Sequence, residues 1–534
     1  MDNIYNAIQN LYNMDKTTWQ EVLAELYNLV SKVENKFDLF ELKFGSLLGE
    51  QVTRELKKMY DNGSLASLIN DVLLKDINEK VDTFKTEVSE QLDTINNKAK
   101  RYGVSVRNSY PKVLVKNSEY IFPTEFSLRY SDLPKIYKNK NQFITDFDVS
   151  NYKNKGGKNI YVSIKNGLSS NDGLTRTTPC QSLEKALVLA SDGDTVIIID
   201  EKDTIIPKSH WFSNGYITKS INIIAENRVI TFNGDIPSWV KLENYNNIYQ
   251  TTRSNCLRVV DINNIDEPID LIKVDNLETL ENSINSYYTD NVNVYVNVKN
   301  ANEKVLPLLN SYCLRNSNNK NIKLYIENII IIGGINNIFI QGNSSYNGHE
   351  LYTKNVQCLF ASQGDAILVQ NSKKAYHQNT TCAYSSKDGF NYSTNIGNSN
   401  IVDFIEVNCI AYGNGNNTLN TANTHNGSTA HAKSSGIRIN GAYYGNYGGN
   451  VIDVQEVKSL NLGCITYDSL STDASFNQGI GTQQGQGATM WIDGCVSFNN
   501  FADIYCFTGD TINVTNSIFD TIYGGGTKNL SNNY

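Results

Sequence analysis

NIYVSIKNGLSSNDGLTRTTPCQSLEKALVLASDGDTVIIID, residues 159–200, changes its apolar period twice within one short stretch. Ile160 to Val162 is a β-branched run, and Asn171, Asp172 and Gly173 supply the turn chemistry that ends it. Leu183, Ala186, Leu187, Leu189 and Ala190 then recur at helical spacing. Asp192, Gly193 and Asp194 break the helix, and Val196 to Ile199 reads as a buried strand. The order is strand, turn, short amphipathic helix, turn, strand. Downstream the texture is uniform, with short β runs separated by Asn, Gly and Asp.

Within that texture a loose repeat recurs in NVQCLFAS, NTTCAYSS, VNCIAYGN, LGCITYDS, DGCVSFNN and TNSIFDT. Its marked residues are Cys358, Cys382, Cys409, Cys464, Cys495 and Ser517, separated by 24, 27, 55, 31 and 22 residues. Periods of this size belong to solenoids, in which equivalent positions stack at about 4.8 Å. The thiols are therefore expected to form one reduced, buried interior ladder. Leu359, Ile410, Ile465, Val496 and Ile518 extend the same rungs. A solenoid must cover its terminal rung, which otherwise presents apolar surface and open backbone groups to water. The 159–200 segment resembles the opening of pectate-lyase-like β-helix proteins, in which a helix plugs that end. The fold class is thus all-β, a right-handed parallel β-helix over residues 158–520, followed by a C-terminal tail over 521–534.

The first hundred residues read differently. TWQEVLAELYNLVSKVENKFDLFELKF (18–44) is a long helix-forming run. Leu74, Ile77, Val81, Phe84, Val88 and Ile95 alternate spacings of three and four, with Gln91 in the remaining core slot. Residues 1–103 are expected as an α-helical region with a coiled-coil stalk at 74–95, although a helix packed on its own domain fits the same seam. Residues 104–157, with Pro111, Pro123 and Pro134, read as a connector. Between about 205 and 310 the repeat is obscured, as rungs carrying side insertions would make it.

With a net charge of -8 and only 19% charged residues, the chain lacks the concentrated Lys and Arg of a duplex-binding or membrane-binding surface. No apolar run approaches the roughly 18 residues of a span, so neither nucleic acid nor membrane insertion is expected. The opening MDNIYNAIQNLYNMD has no basic or apolar leader region, which predicts synthesis in a cytoplasm. Nine Cys without a C-x-x-C pair, and five His without ligand spacing, predict no metal and no cofactor.

SKDGFNYSTN (386–395), IVDFIEVNCIAYGNG (401–415), the run from His425 to Val454, LNLGCITYDS (460–469) and MWIDGC (490–495) add a second likeness. Together with the helical stalk and the capped coil, they resemble the tailspike and pre-neck appendage proteins of phages infecting Gram-positive bacteria, over roughly residues 158–500. The resemblance implies a homotrimeric virion protein held to phage tail or collar proteins through its N-terminal region. Its β-helix would bind, and in some members cleave, host cell-wall polysaccharide or teichoic acid. A purely adhesive or structural appendage is the first alternative. A free polysaccharide lyase or hydrolase is the second, opposed by the stalk and the missing leader.

Glycoside cleavage needs two carboxyls flanking one bond. Asp365 and Asp388 lie 23 residues apart, one rung, and are expected side by side, either as an acid beside a base or as corner-turn residues. IVDFIEV and VIDVQEV repeat Asp-x-x-Glu. If Ile405, Val407 and Cys409 line the interior, Glu406 faces out and pairs with Glu456, giving the candidate catalytic set Asp365, Asp388, Glu406 and Glu456. The long loop 413–436 places His425 and His431 over this strip as binding groups. Arg438 is expected to grip phosphate or carboxylate, or to pair with Asp453 or Glu456. Tyr443, Tyr444 and Trp491 are expected to contact sugar rings, or to stack within the coil.

Overall fold

The computed structural model describes residues 118–139, 142–212, 216–394, 401–416, 425–474 and 476–533. The helical region 1–103, with its seam at 74–95, lies outside them. From Asn159 the chain winds as a parallel β-helix, each turn laying strands on the previous one. Asn159–Val162 pairs with Thr195–Ile198, which pairs with Ile221–Phe232, which pairs in turn with Lys323–Ile332. Helix α1, Leu183–Leu189, is capped by the Ser182 side chain accepting from the Lys185 N–H, and it buries Leu183 and Ala186 against the first rung. Without it that apolar end would meet water.

Each later turn contributes to three sheets. Sheet I contains Glu350–Lys354, Lys374–Gln378, Asp403–Val407, Ser435–Ile439 and Lys458–Leu462. Sheet II contains Gln357–Leu359, Thr381–Ala383, Ile410–Tyr412, Ala442–Tyr444 and Ile465–Tyr467. Sheet III contains Leu314–Asn316, Ile338–Gln341, Ile367–Gln370, Phe390–Ser393 and Ser428–Ala430. One left-handed residue makes each corner between sheets I and II: Asn355 (φ 52°), Asn379 (φ 51°), Asn408 (φ 52°), Asn440 (φ 52°) and Gly463 (φ 63°). Asn accepts this conformation more readily than other side-chain-bearing residues. Here its amide is used as well, because Asn355 donates to Asn328 Oδ1 at 3.1 Å, Asn379 to Asn355 at 3.1 Å and Asn408 to Asn379 at 3.2 Å.

That corner inverts the inside–outside alternation and corrects two expectations. Ile405 and Val407, before Asn408, face outward, whereas Cys409 and Ala411, after it, face the interior. Glu406 therefore points into the core, fully buried. The thiols also form two columns rather than one. Cys358 and Cys382 stand three residues past their corners and pair in register. Cys409, Cys464 and Cys495 stand one residue past theirs, at Asn408, Gly463 and Gly494 (φ 63°). All nine cysteines are free and buried.

Two additions cover the outside of the coil. Residues 118–157 run as a strap over sheet I. The Tyr130 N–H donates to Asp403 at 2.6 Å, Lys138 Nζ meets Asp493 at 2.5 Å, Asn440 donates to Phe143 O at 2.9 Å, and the Asn154 N–H donates to Asn222 at 2.8 Å. Phe126, Ile136, Phe143 and Val149 bury the outward Tyr352, Tyr376, Ile405 and Ile437. The insertion follows Ile221–Phe232 and ends before Leu314. Its antiparallel pair Cys256–Asp261 with Val305–Leu309 packs Val260, Leu306 and Leu308 on Ile330, Ile332 and Leu359 of the coil. The expected tail is not a tail: Ile522–Tyr523 and Thr527–Ser531 pair with Ala502–Tyr505 and Thr511–Thr515, adding a further turn. Its short, polar strands hide the apolar alternation by which the other rungs are recognised.

Candidate functional site

The turn that carries the chain from sheet II to sheet III places one residue above another. The Asp388 N–H donates to Asp365 Oδ1 at 2.9 Å, and the Asn426 N–H donates to Asp388 Oδ1 at 2.6 Å. Asp365 and Asp388 are thus neighbours on successive rungs, each about 5% exposed. Burial pushes both carboxyls above the usual range, and the Asp365 charge pushes Asp388 further. Like charges on adjacent rungs of a poorly solvated corner resist ionising together, which favours keeping a proton on the pair. His425 Nδ1 lies 3.8 Å from Asp388 Oδ1. Burial, with Lys387 beside it, takes this imidazole down to about 4, so the ring is neutral at pH 7. Asn391, three residues past Asp388, donates to Asp388 Oδ2 at 3.0 Å, while its own Oδ1 has no hydrogen-bond partner among the described residues. Sequence reading passed over Asn391, although SKDGFNY put it one strand residue beyond the corner.

The remaining sequence candidates separate. Glu406, Arg438 and Asp453 are enclosed inside the coil, with no access for a polymer. Arg438 donates to Asp453 Oδ1 at 3.1 Å and to Ser428 Oγ at 2.9 Å, and lies 3.5 Å from Glu406 Oε1. Its guanidinium stacks over Phe404 at 4.7 Å. Tyr443 donates its hydroxyl to Glu406 Oε2 at 2.7 Å and is likewise interior. Arg438 pairs with Asp453, one of the two partners weighed for it, and grips nothing at the surface. Glu456 is exposed on a left-handed turn (φ 53°) and meets Lys433 at 3.4 Å, so it forms no pair with Glu406. The two Asp-x-x-Glu runs belong to different sheets, Asp403 and Glu406 to sheet I and Asp453 to sheet III. His431 is held by its N–H on Tyr392 O at 2.8 Å, and burial lowers its pKa to about 4.

The aromatic candidates serve packing. Trp491 faces outward but lies under the strap, edge-on to Phe126 at 5.9 Å. Tyr444 faces outward from sheet II in a stack with Tyr412 at 5.2 Å and Tyr467 at 4.7 Å, interplanar angles 3°. Both its ring faces are covered, leaving only an edge for a ligand. A groove of about 240 Å³ below Pro268 of the insertion runs past Gln357, Thr381, Tyr412 and Tyr444.

No protein-family model matches the sequence, and no curated protein matches it. Among solved structures, a complex of XylC with xylose shares 12% identity, each chain covered to 70%, TM-score 0.40. A glycoside hydrolase shares 9% identity over 70% of this chain and 96% of its own, TM-score 0.42. The pectate lyase Pel9A shares 11% over 72% and 80%, TM-score 0.35. At these identities and scores the similarities carry no inference about substrate or chemistry.

Proposed function

We propose that the coil engages a linear cell-surface polysaccharide or teichoic acid and cleaves it at Asp365 and Asp388, as the receptor-binding spike of a phage virion. The observation that carries this reading is the adjacent, buried carboxyl pair, in which the Asp365 charge adds to the rise of Asp388, with a neutral imidazole beside it. Asp388, raised by burial and by the Asp365 charge, donates its proton to the departing oxygen. Asp365 is the second carboxyl at the bond, one rung of about 4.8 Å away, the close spacing of a retaining rather than an inverting pair. His425 holds the incoming polymer by hydrogen bonding without adding charge. General acid–base assistance of this kind is worth a factor of about 100 or more.

Asp388→Asn is therefore expected to retain wall polymer from a susceptible host while fragment release falls by roughly that factor. The Asn side chain still offers an oxygen to the Asn426 N–H, and loses the bond that Oδ2 accepts from Asn391. Parental release rates from both Asp388→Asn and Asp365→Asn would remove the catalytic assignment. One observation favours the adhesive alternative: the two carboxyls accept the Asp388 and Asn426 N–H groups and so also serve the turns. Retention of polymer without release by the parental protein selects it. Attachment to the virion and trimer formation belong to the same proposal and are assigned to residues 1–103. Light scattering is expected to give a trimer, weakened by charged substitutions at Val81 and Val88, and a monomer at micromolar concentration would refute the stalk.

A further inference from the structure

Sheet III carries, on its outer face, a register column of Tyr216, Arg315, Phe339, Leu368 and Asn391. Arg315 is the unusual member. Its guanidinium carbon lies 3.9 Å from the Tyr216 ring centre and 4.7 Å from that of Tyr312. Tyr312 is itself stacked on Phe339 at 5.6 Å, so the clamp is built into the sheet. Among the described residues no carboxylate or other acceptor meets this guanidinium. Arg228 and Arg258, by contrast, each hold an Asp, at 2.7 Å and 2.5 Å respectively. Partial burial pulls the Arg315 pKa down, with no charged neighbour acting against it. A cation that is desolvated, immobilised between rings and left without a counterion is a preorganised receptor for an oxyanion.

We infer that Arg315 is the anion subsite of the polymer-binding face, taking a carboxylate or phosphate of a chain that runs along the sheet III column to Asn391 and Asp388. Three rungs separate Arg315 from Asn391, roughly 14 Å at the strand spacing. A short oligomer spans that distance. The inference rests on the polymer reading of the Asp365–Asp388 site and narrows it to anionic polymers.

Retention is measured in the full-length Asp388→Asn background, so that cleavage does not consume the probe. The probes are poly(glycerol phosphate), polygalacturonate and neutral dextran. Binding of one anionic polymer and not of dextran is expected, and whichever is bound identifies phosphate or carboxylate as the source. Arg315→Gln should weaken that binding roughly tenfold or more. It should also flatten the salt dependence, because one ion contact is lost. Arg315→Lys should restore little, since an ammonium has no planar fork to lie between the rings. Tyr216→Ala, at a 40% exposed residue, keeps the charge and loosens the clamp, so it should give an intermediate loss even where Arg315→Gln folds poorly. Equal retention by the Arg315→Gln and parent proteins, preference for dextran, or no retention of either anionic polymer overturns the assignment. Fragment release by Asp388→Asn would instead overturn the catalytic reading, and the two failures are read in separate assays.

Discussion

His377 shows how a single buried group sets a pH limit. It is fully enclosed, with Nδ1 2.7 Å from Thr353 Oγ1 and Nε2 without a partner among the described residues. Burial takes its pKa down to about 3, against about 6.5 for a free imidazole. The folded state thus binds fewer protons than the unfolded state between these values. The stability this contributes is present above about pH 6.5 and is lost as pH falls towards 3. At pH 4 the loss is on the order of 3 kcal/mol. Asp365 and Asp388 act in the opposite sense. Their folded pKa values are raised, so their stabilising effect is full at low pH and fades as pH rises through the raised values. A comparison with His377→Gln isolates the imidazole. The stability advantage of the parent over this variant in urea titrations should shrink by about 3 kcal/mol from pH 7 to pH 4. An advantage independent of pH would contradict the burial account.

At the scale of strands, the Glu406–Arg438–Asp453 cluster is a charged plug in an otherwise apolar interior. Glu406 and Arg438 pair directly across neighbouring strands of sheet I, and Asp453 reaches the same guanidinium from sheet III. Arg438→Met leaves two buried carboxylates without their cation, which costs about 3–5 kcal/mol. A matching drop in urea stability is expected, with polymer retention per folded molecule unchanged. Lost retention at unchanged stability would place Arg438 at the surface after all. The position of this cluster also explains why parts of the site were illegible in the sequence. Asp365 and Asp388 could be paired because both stand at equivalent points of one rung period, and the solenoid converts that period into contact. Glu406 could not be placed, because strand alternation runs only as far as the left-handed Asn408 and restarts with the opposite sense. The Asn column was visible in the sequence, since each of Asn355, Asn379, Asn408 and Asn440 precedes a short-sheet strand. By composition it is turn chemistry, and only the fold shows it as the corner that sets phase. Asn379→Ala should therefore destabilise the fold by more than Asn379→Gly, which keeps the positive φ and loses only the amide stack. Equal thermal midpoints for the two variants would show that the backbone conformation contributes nothing.

Over the whole described coil, the strap changes what kind of object the solenoid is. A bare solenoid is quasi-one-dimensional, each rung touching only its neighbours, so its ends can fray independently of its middle. Here residues 118–157 bond to Asp493 at one extreme and to Asn222 at the other, with Asp403, Gln378 and Asn440 between them. These contacts tie distant rungs into one unit, and their apolar part is large, because Phe126, Ile136, Phe143 and Phe147 are all buried on sheet I. Phe143, 3% exposed, is packed edge-on to Tyr120 at 5.9 Å, and its carbonyl holds the Asn440 corner amide. Phe143→Ala empties the centre of this seam and should cost about 3–5 kcal/mol if the loss is felt by the whole fold. Native-state hydrogen exchange tells a global loss from a local one. In the parent, amides of the Ile221–Phe232 and Thr489–Asp493 strands should exchange with similar opening free energies, as members of one cooperative unit. In Phe143→Ala the two strands should separate, the Thr489–Asp493 rungs opening at lower free energy than those near the α1 cap, which keep their own cover. Uniform loss across both strands would mean that rung-to-rung stacking alone makes the coil cooperative. No loss in either would mean that the strap is a passenger on the sheet it covers.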